Sequence, residues 1–109
     1  MAINISIAKD FSTTPGPRIR QDGSFSGEEF REKFLEKFFL DGSTGKIIID
    51  LDGVEGYSTA FLEEAFGGLV RKFGKDIVKN RLEFISTEEP FLINEIESYI
   101  EKADKKGIK

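Results

Sequence analysis

Four short stretches of the chain carry patterns typical of β-strands. Isoleucines alternate with polar residues over 3–7, which predicts a strand with one buried face. The stretch 46–51 is almost continuously apolar, as in a central strand that is covered on both faces. Residues 18–20 and 81–85 are predicted to form a short second strand and a further strand. We therefore expect about four strands.

Three longer stretches repeat their apolar residues with the period of a helix. The first follows Ser26–Glu29, a capping box in which the serine hydroxyl accepts a backbone N–H of the first turn. The second runs from about Thr59 to Phe73 and contains Gly67–Gly68, which indicates close packing of its backbone against the sheet. The third begins near Pro90, a residue suited to the first turn of a helix.

The order of these elements is typical of an α/β domain. Strand and helix alternate in the later part of the chain, which predicts right-handed crossovers between neighbouring parallel strands. A length of 109 residues suits one domain. We expect a single small domain over residues 1–109, with a central mixed sheet of about four strands flanked by three main helices. Residues 1–2 and 104–109 are expected to fray.

Composition narrows the possible chemistry. The chain has no cysteine and no histidine, which removes disulfides, thiolate nucleophiles, Ser-His triads and most metal centres. Its net charge of -4 disfavours nucleic acid as a partner. The apolar runs are too short to span a membrane, and the N-terminus lacks the pattern of a signal peptide. We therefore expect a cytoplasmic protein without a cofactor or metal, and sequence leaves its oligomeric state open.

One short motif points to an enzyme. Ile47–Val54 resembles the first motif of the haloacid-dehalogenase-like phosphatases. That resemblance implies that Asp50 acts as nucleophile and Asp52 as acid/base, with Mg²⁺ neutralising the phosphate. However, the motif lies in the middle of the chain, and no later pair of acidic residues completes a Mg²⁺ site. The alternative is that Asp50 and Asp52 end a buried strand and form a turn.

A second resemblance covers nearly the whole chain. The blocks Gly16–Arg20, Asp22–Arg31, Ile49–Val54 and Ser58–Gly67 resemble, in order and spacing, the bacterial STAS-like family of unknown function. The wider STAS family implies a central sheet flanked by helices. Its best-understood members are anti-sigma-factor antagonists, which bind a kinase-like ATPase and are switched by phosphorylation of a serine at the start of the helix after the central strand.

The same resemblance singles out the stretch 57–61. A register without gaps places the phosphate acceptor at Ala60 or, one residue earlier, at Thr59. Neither the Asp-Ser-Ser pattern of the family nor its following glycine is present. Ser58 and Thr59 can also serve simply as the cap of the helix. We expect Ser58, Thr59 and Glu63 to form a phosphorylation site or a contact with a protein partner.

A possible anion site lies near the first helix. Arg18 and Arg20 occupy alternate positions, so both can point the same way. Together with the free amides around Ser26 and Gly27 they could hold an anion. The alternative is a solvated face with salt bridges to the glutamates that follow.

Three functional classes therefore remain. The favoured one is a non-enzymatic regulatory domain that binds a protein partner, for which the resemblance suggests a kinase-like ATPase, around Ser58–Thr59. The second is a small Mg²⁺-dependent phosphatase-like enzyme that uses Asp50 and Asp52. The third is a structural or oligomerising module.

Overall fold

A computed structural model describes residues 2–103. The centre of the molecule is a three-stranded parallel sheet. Its strands, in spatial order, are β1 (Ile3–Ser6), β2 (Ile47–Asp50) and β3 (Leu82–Ile85). Ile5 lies opposite Ile49, which in turn lies opposite Phe84. The expected fraying of residues 104–109 and of residue 1 concerns positions outside the described residues.

The prediction of a mixed sheet with about four strands is wrong for the described residues, because the stretch 18–20 is not a strand. The Arg18 carbonyl oxygen accepts the N–H of Glu28 at 3.0 Å. The chain then turns through a 3₁₀ helix at Arg20–Asp22. The backbone that would have paired in a sheet is therefore used to hold the start of the first helix.

Residues 2–103 form four continuous helices, one more than the three main helices expected. Six α-helical segments and two π-helical turns build them. Helix α1 spans 27–40 (Gly27–Phe30, π-helical Arg31–Leu35, Lys37–Leu40), and α2 spans 59–73 (Thr59–Leu62, π-helical Glu63–Gly67, Gly68–Phe73). Helices α3 and α4 are Lys75–Arg81 and Phe91–Lys102. A further π-helical turn, Ile7–Phe11, follows β1. No helix within residues 2–103 is long and apolar enough to cross a membrane.

Helix α3 is one of the elements that the sequence did not predict. It has seven residues, and of its hydrophobic side chains Val78 is buried while Ile77 is exposed. Gly74 precedes it with φ +104°, a conformation that lets the chain turn sharply from α2 into α3. One buried apolar residue in so short a segment is too few to give the apolar repeat by which a helix is predicted.

Among the residues that the structure describes, helices cover one face of the sheet and leave the other open. Helix α2 packs between α1 and α4. Ile47 and Ile49 on β2 are fully buried beneath this layer, whereas Ile48 between them is only half-buried. Ile48 lies in register with Asn4 and Glu83, which are both exposed. The expectation that β2 is covered on both faces is therefore wrong within residues 2–103.

Phenylalanine rings fill much of the core between the sheet and the helices. Phe30 of α1 lies 6.0 Å from Phe61 and 6.3 Å from Phe66 of α2, centroid to centroid. Phe66 in turn meets Phe84 of β3 edge to face at 5.2 Å. Pairs in this geometry contribute about 0.5–1.5 kcal/mol beyond the burial of their area. A chain of rings therefore joins α1, α2 and β3 and fixes the position of α2 over the sheet.

Candidate functional site

The start of α2 lies beyond the carboxyl end of β2, where Ser58 fixes it in place. The Ser58 Oγ accepts the N–H of Phe61 at 3.0 Å and donates to the Gly16 carbonyl oxygen at 3.0 Å. The first bond caps the helix, and the second ties the loop before α1 to this end of α2. The capping role proposed for this position is confirmed for Ser58.

Thr59 is the first residue of α2 and is exposed. Its side chain lies beside the hydroxyl of Tyr99 on α4. That hydroxyl donates to Glu95, and this hydrogen bond raises the pKa of Tyr99. Ala60, the other acceptor position considered, has no hydroxyl and is half-buried. Thr59 is therefore the residue of this turn whose hydroxyl is exposed and not engaged in capping the helix.

The loop between β2 and α2 is anchored along its length. The Tyr57 hydroxyl donates to the Leu51 carbonyl oxygen at 2.8 Å, and burial, with a further contribution from nearby Asp50, raises the pKa of Tyr57. The Glu55 N–H donates to the Thr13 carbonyl oxygen at 2.9 Å. These contacts hold a surface loop in one conformation, so the shape that it presents next to Thr59 is preformed.

Glu63 lies one turn after Thr59 and is held between two arginines. Its carboxylate accepts from Arg18 at 2.6 Å and from Arg71 at 2.6 and 3.1 Å. The hydrogen bond from Arg71 is the main cause that lowers the pKa of Glu63, and the bond from Arg18 adds to it. Hydrogen bonding to Glu63 likewise raises the pKa of Arg18. The sequence indicated that Glu63 lies near Thr59 but not that its charge is neutralised.

The ion pairs continue from Glu63 into the junction of α1 and α2. The guanidinium of Arg31 donates to the Glu64 carboxylate at 2.6 Å, to the Glu64 carbonyl oxygen at 2.9 Å and to Glu36 at 2.8 Å. Glu36 also accepts from Lys72 at 3.1 Å. Burial alone would lower the pKa of Arg31, but the hydrogen bonds with Glu36 and Glu64 outweigh it and the pKa is raised.

Three glycines make room for this junction. A Cβ atom on Gly68 would lie 2.3 Å from the Arg31 guanidinium, and one on Gly67 would lie 2.5 Å from the Glu63 carboxylate. A Cβ on Gly27 would lie 2.5 Å from the Phe61 carbonyl oxygen. Gly67 and Gly68 therefore accommodate charged side chains, and not the sheet as the sequence suggested.

The four residues of the predicted anion site are brought together only in part. Arg18 binds Glu63 on α2, while Arg20 binds Glu32 on α1 at 2.9 Å. The Ser26 hydroxyl caps the N–H of Glu29, and the Gly27 N–H donates to the Pro17 carbonyl oxygen. Arg18 Nη1, Arg20 Nε and Nη2, and the Gly27 N–H therefore already donate to acceptors in the chain. Anion binding by Arg18, Arg20, Ser26 and Gly27 stays a prediction.

The aspartates of the phosphatase-like motif act as hydrogen-bond acceptors of the loop. Asp50 Oδ1 accepts the N–H of Asp52 at 2.9 Å. Asp52 accepts the N–H of Glu88 at 3.0 Å, the hydroxyl of Thr87 at 2.6 Å and the N–H of Thr87 at 3.2 Å. The hydrogen bond from the Glu88 N–H is the main cause that lowers the pKa of Asp52, and the hydrogen bonds from Thr87 add to it. Within residues 2–103 no group of three or more histidine, cysteine, aspartate or glutamate side chains is placed to hold a metal ion.

The sequence did not predict the residues whose ion pairs join α1 and α2 behind this site. In the sequence, Arg31, Arg71, Glu36 and Lys72 look like ordinary charged residues of a helix surface. One signal was present for Arg31, because it follows Phe30 directly and therefore lies next to the buried stripe of α1. The glycine pair in α2 was a second signal, since a helix that gives up two side chains makes room for something large.

Comparison with known proteins shows the family. A family model described as a STAS-like domain of unknown function (DUF4325) matches residues 26–91, more than half of the chain. The match includes α1, β2, α2, α3 and β3, and therefore the whole junction of α1 and α2. Comparisons with curated proteins and with solved structures find no significant match. The chain belongs to the family of STAS-like domains of unknown function.

Proposed function

We propose that this chain is a non-enzymatic regulatory domain that binds a protein partner through the loop 53–58 and the first turn of α2. The observation that carries the proposal is that two neighbouring hydroxyls, those of Ser58 and Thr59, have different roles. Ser58 is committed to capping α2, whereas Thr59 is exposed on a helix start held in place by that cap. A rigid, preformed surface loses little conformational entropy on binding.

The proposed partner is a kinase-like ATPase, as the resemblance to anti-sigma-factor antagonists implies. The proposed switch is phosphorylation of Thr59 by that partner. A phosphate there would lie at the positive end of the helix, which tolerates negative charge. Across a docked interface the same charge would meet groups that had lost their water, so it would weaken binding.

The ion pairs around Glu63 support this reading. Thr59 and Glu63 are four residues apart on one helix and therefore lie on the same face. An unpaired Glu63 would repel a phosphate on Thr59, but Arg18 and Arg71 both neutralise its charge. The helix start can therefore change its charge without a like charge one turn away opposing the change.

The test compares Thr59→Glu with a matched control, Thr44→Glu. Thr44 is also exposed, but it precedes β2 and so lies at the opposite end of the sheet. Partners captured from cell lysate by each variant are quantified by mass spectrometry. We expect Thr59→Glu to retain the melting temperature of the wild type and to lose a specific partner that Thr44→Glu keeps. Equal capture by both folded variants would contradict the proposal.

An enzyme assay separates this proposal from the phosphatase-like alternative. The substrate is p-nitrophenyl phosphate with Mg²⁺, and the matched variant is Asp50→Asn. We expect no turnover that depends on Asp50, because its carboxylate accepts the Asp52 N–H and so supports the turn after β2. Hydrolysis by the wild type that disappears in Asp50→Asn would show an enzyme and overturn the proposal.

A further inference from the structure

Strand β3 ends the sheet with backbone groups that face outward. The Leu51 N–H donates to the Ile85 carbonyl oxygen at 2.8 Å, so Ile85 directs its backbone groups toward β2. Because successive residues of a strand alternate in direction, Glu83 does the same and Phe84 points its N–H and C=O away from the sheet. The Leu82 N–H is used in closing α3, where it donates to the Val78 carbonyl oxygen.

The opposite edge of the sheet is protected by the chain itself. On β1 the Ser6 N–H donates to Asp10 Oδ2 at 2.8 Å, and the π-helical turn Ile7–Phe11 follows directly. A side chain that caps an edge and a strand that stops early are common ways to block unwanted pairing. The edge of β3 lacks such a cap within residues 2–103, which makes it the edge available for pairing.

A groove runs along this edge between β3 and α4. Its volume is about 670 Å³. The floor is apolar and consists of Leu82 and Phe84 from β3 and Ile93 and Ile100 from α4. The groove is therefore partly hydrophobic, and the outer edge of β3 forms one of its walls.

The rim of the groove is acidic. Glu83, Glu97 and Glu101 line it, against one lysine, Lys79. Lys79 and Lys75 both pair with Glu101. The nearest cation to Glu83 is Lys46 at 3.9 Å, and Glu97 makes no ion pair with any cation of residues 2–103. The side chains that line the groove therefore carry more negative than positive charge, three glutamates against one lysine, and attract positive charge.

We propose that the groove between β3 and α4 binds an extended segment of a protein partner that is rich in lysine or arginine, and that this segment pairs with β3 as a fourth strand. Strand addition supplies affinity through backbone hydrogen bonds, while alternate side chains supply specificity. On the covered face of the added strand, apolar side chains meet the floor and a basic one meets Glu97, while basic side chains on the open face meet Glu83. This surface is separate from the Thr59 surface and is independent of the proposed function.

The probe is a synthetic heptapeptide, Lys-Val-Lys-Lys-Lys-Val-Lys, blocked at both ends, whose second, fourth and sixth side chains share the face that meets the floor and Glu97. Binding to the full-length ¹⁵N-labelled protein is followed by chemical shifts and by calorimetry. We expect saturable binding with the largest shifts at the amide of Phe84 and its neighbours. The peptide with a central proline, which cannot donate at that position, and the peptide with glutamate in place of lysine should each bind at least about tenfold more weakly.

The matched variants distinguish the groove from general attraction of a basic peptide. The double change Glu83→Lys with Glu97→Lys should weaken binding at least about tenfold, because both carboxylates of the rim are reversed. Glu89→Lys, an exposed change outside the groove, should alter affinity less than about twofold. Thr59→Glu should also leave peptide affinity unchanged, so failure of either surface is visible by itself.

Several results would overturn the proposal. One is equal binding of the basic, acidic and proline peptides, or shifts confined to residues outside β3 and α4. Another is a gain of peptide affinity when Lys105, Lys106 and Lys109 are changed to glutamate, which would make the chain's own segment 104–109 the occupant. A third is a concentration-dependent dimer that excludes the peptide, which would make the occupant a second copy.

Discussion

The guanidinium of Arg31 occupies the space that a side chain on Gly68 would need. A Cβ atom there would lie 2.3 Å from Nη1 and 3.2 Å from Cδ of Arg31. Arg31 cannot move aside freely, because Glu36 and Glu64 accept its hydrogen bonds and the side chain is buried. Helices α1 and α2 therefore meet through a glycine on one and a paired cation on the other.

Gly68→Ala should destabilise the domain for this reason. We expect a loss of about 1–3 kcal/mol in the free energy of unfolding, as for other substitutions that overpack a core. The same exchange in an unhindered helix would stabilise by about 1 kcal/mol, so the sign of the change is diagnostic. Urea unfolding measures it. The control is Gly56→Ala, where a Cβ meets nothing within 4 Å, and equal effects of both changes would refute the packing argument.

Stability should fall in acid through the same charged junction. The pKa values of Glu36 and Glu63 are lowered in the folded state, so the unfolded chain binds protons more readily. The stabilisation from both groups is therefore present above about pH 4.3, the ordinary pKa of glutamate, and is lost as the pH falls further. Melting temperatures between pH 7 and pH 3 test this, and Glu63→Gln should flatten the curve. A wild-type curve no steeper than that of Glu63→Gln would contradict it.

Asp52→Asn tests the role of the aspartate in the turn that follows β2. From sequence alone, the change is expected to leave the fold nearly unaffected. In the structure, Asp52 accepts from Thr87 and Glu88 and so links the ends of β2 and β3. We now expect Asp52→Asn to lower the melting temperature, because the amide loses the charge and one of the acceptor atoms. Asp22→Asn, an exposed change in the 3₁₀ turn, is the control, and matching curves for the two variants would disprove this role.

Local patterns predicted the elements that depend on local physics. The alternation over 3–7 corresponds to β1, and the serines before α1 and α2 cap those helices as expected. Such features depend on a few adjacent residues, so the sequence states them directly.

The features that sequence could not predict depend on contacts between distant residues. Arg31 and Glu64 are 33 positions apart, and nothing near either residue indicates the other. Arg18 and Arg20 look alike in sequence, yet they bind carboxylates on different helices. The open edge of β3 is a property of the whole sheet, since it depends on which strands are present and in what order.

Substitutions of Ser58 and Thr59 should have different effects: the first should lower stability, and the second should affect partner binding. Ser58→Ala removes the hydroxyl that accepts from Phe61 and donates to Gly16. Loss of such a cap costs about 0.5–2 kcal/mol. Thr59→Ala should leave the free energy of unfolding within a few tenths of a kcal/mol of the wild type, or raise it slightly, because alanine is the better helix former.

Regulation of partner binding should depend on Thr59 and not on Ser58. We expect Thr59→Ala to remove any switching by phosphorylation, and Ser58→Ala, at a temperature where it is fully folded, to keep that switching, because its exposed neighbour is still in place. The measurement is phosphate incorporation and partner retention for both alanine variants after incubation with cell lysate and ATP. Incorporation that persists in Thr59→Ala and disappears in Ser58→Ala would assign the switch to Ser58.

A phosphate on Ser58 would replace a hydroxyl that both caps α2 and holds the Gly16 carbonyl oxygen. Modification would then act by loosening the helix start, and not by adding charge to a fixed surface.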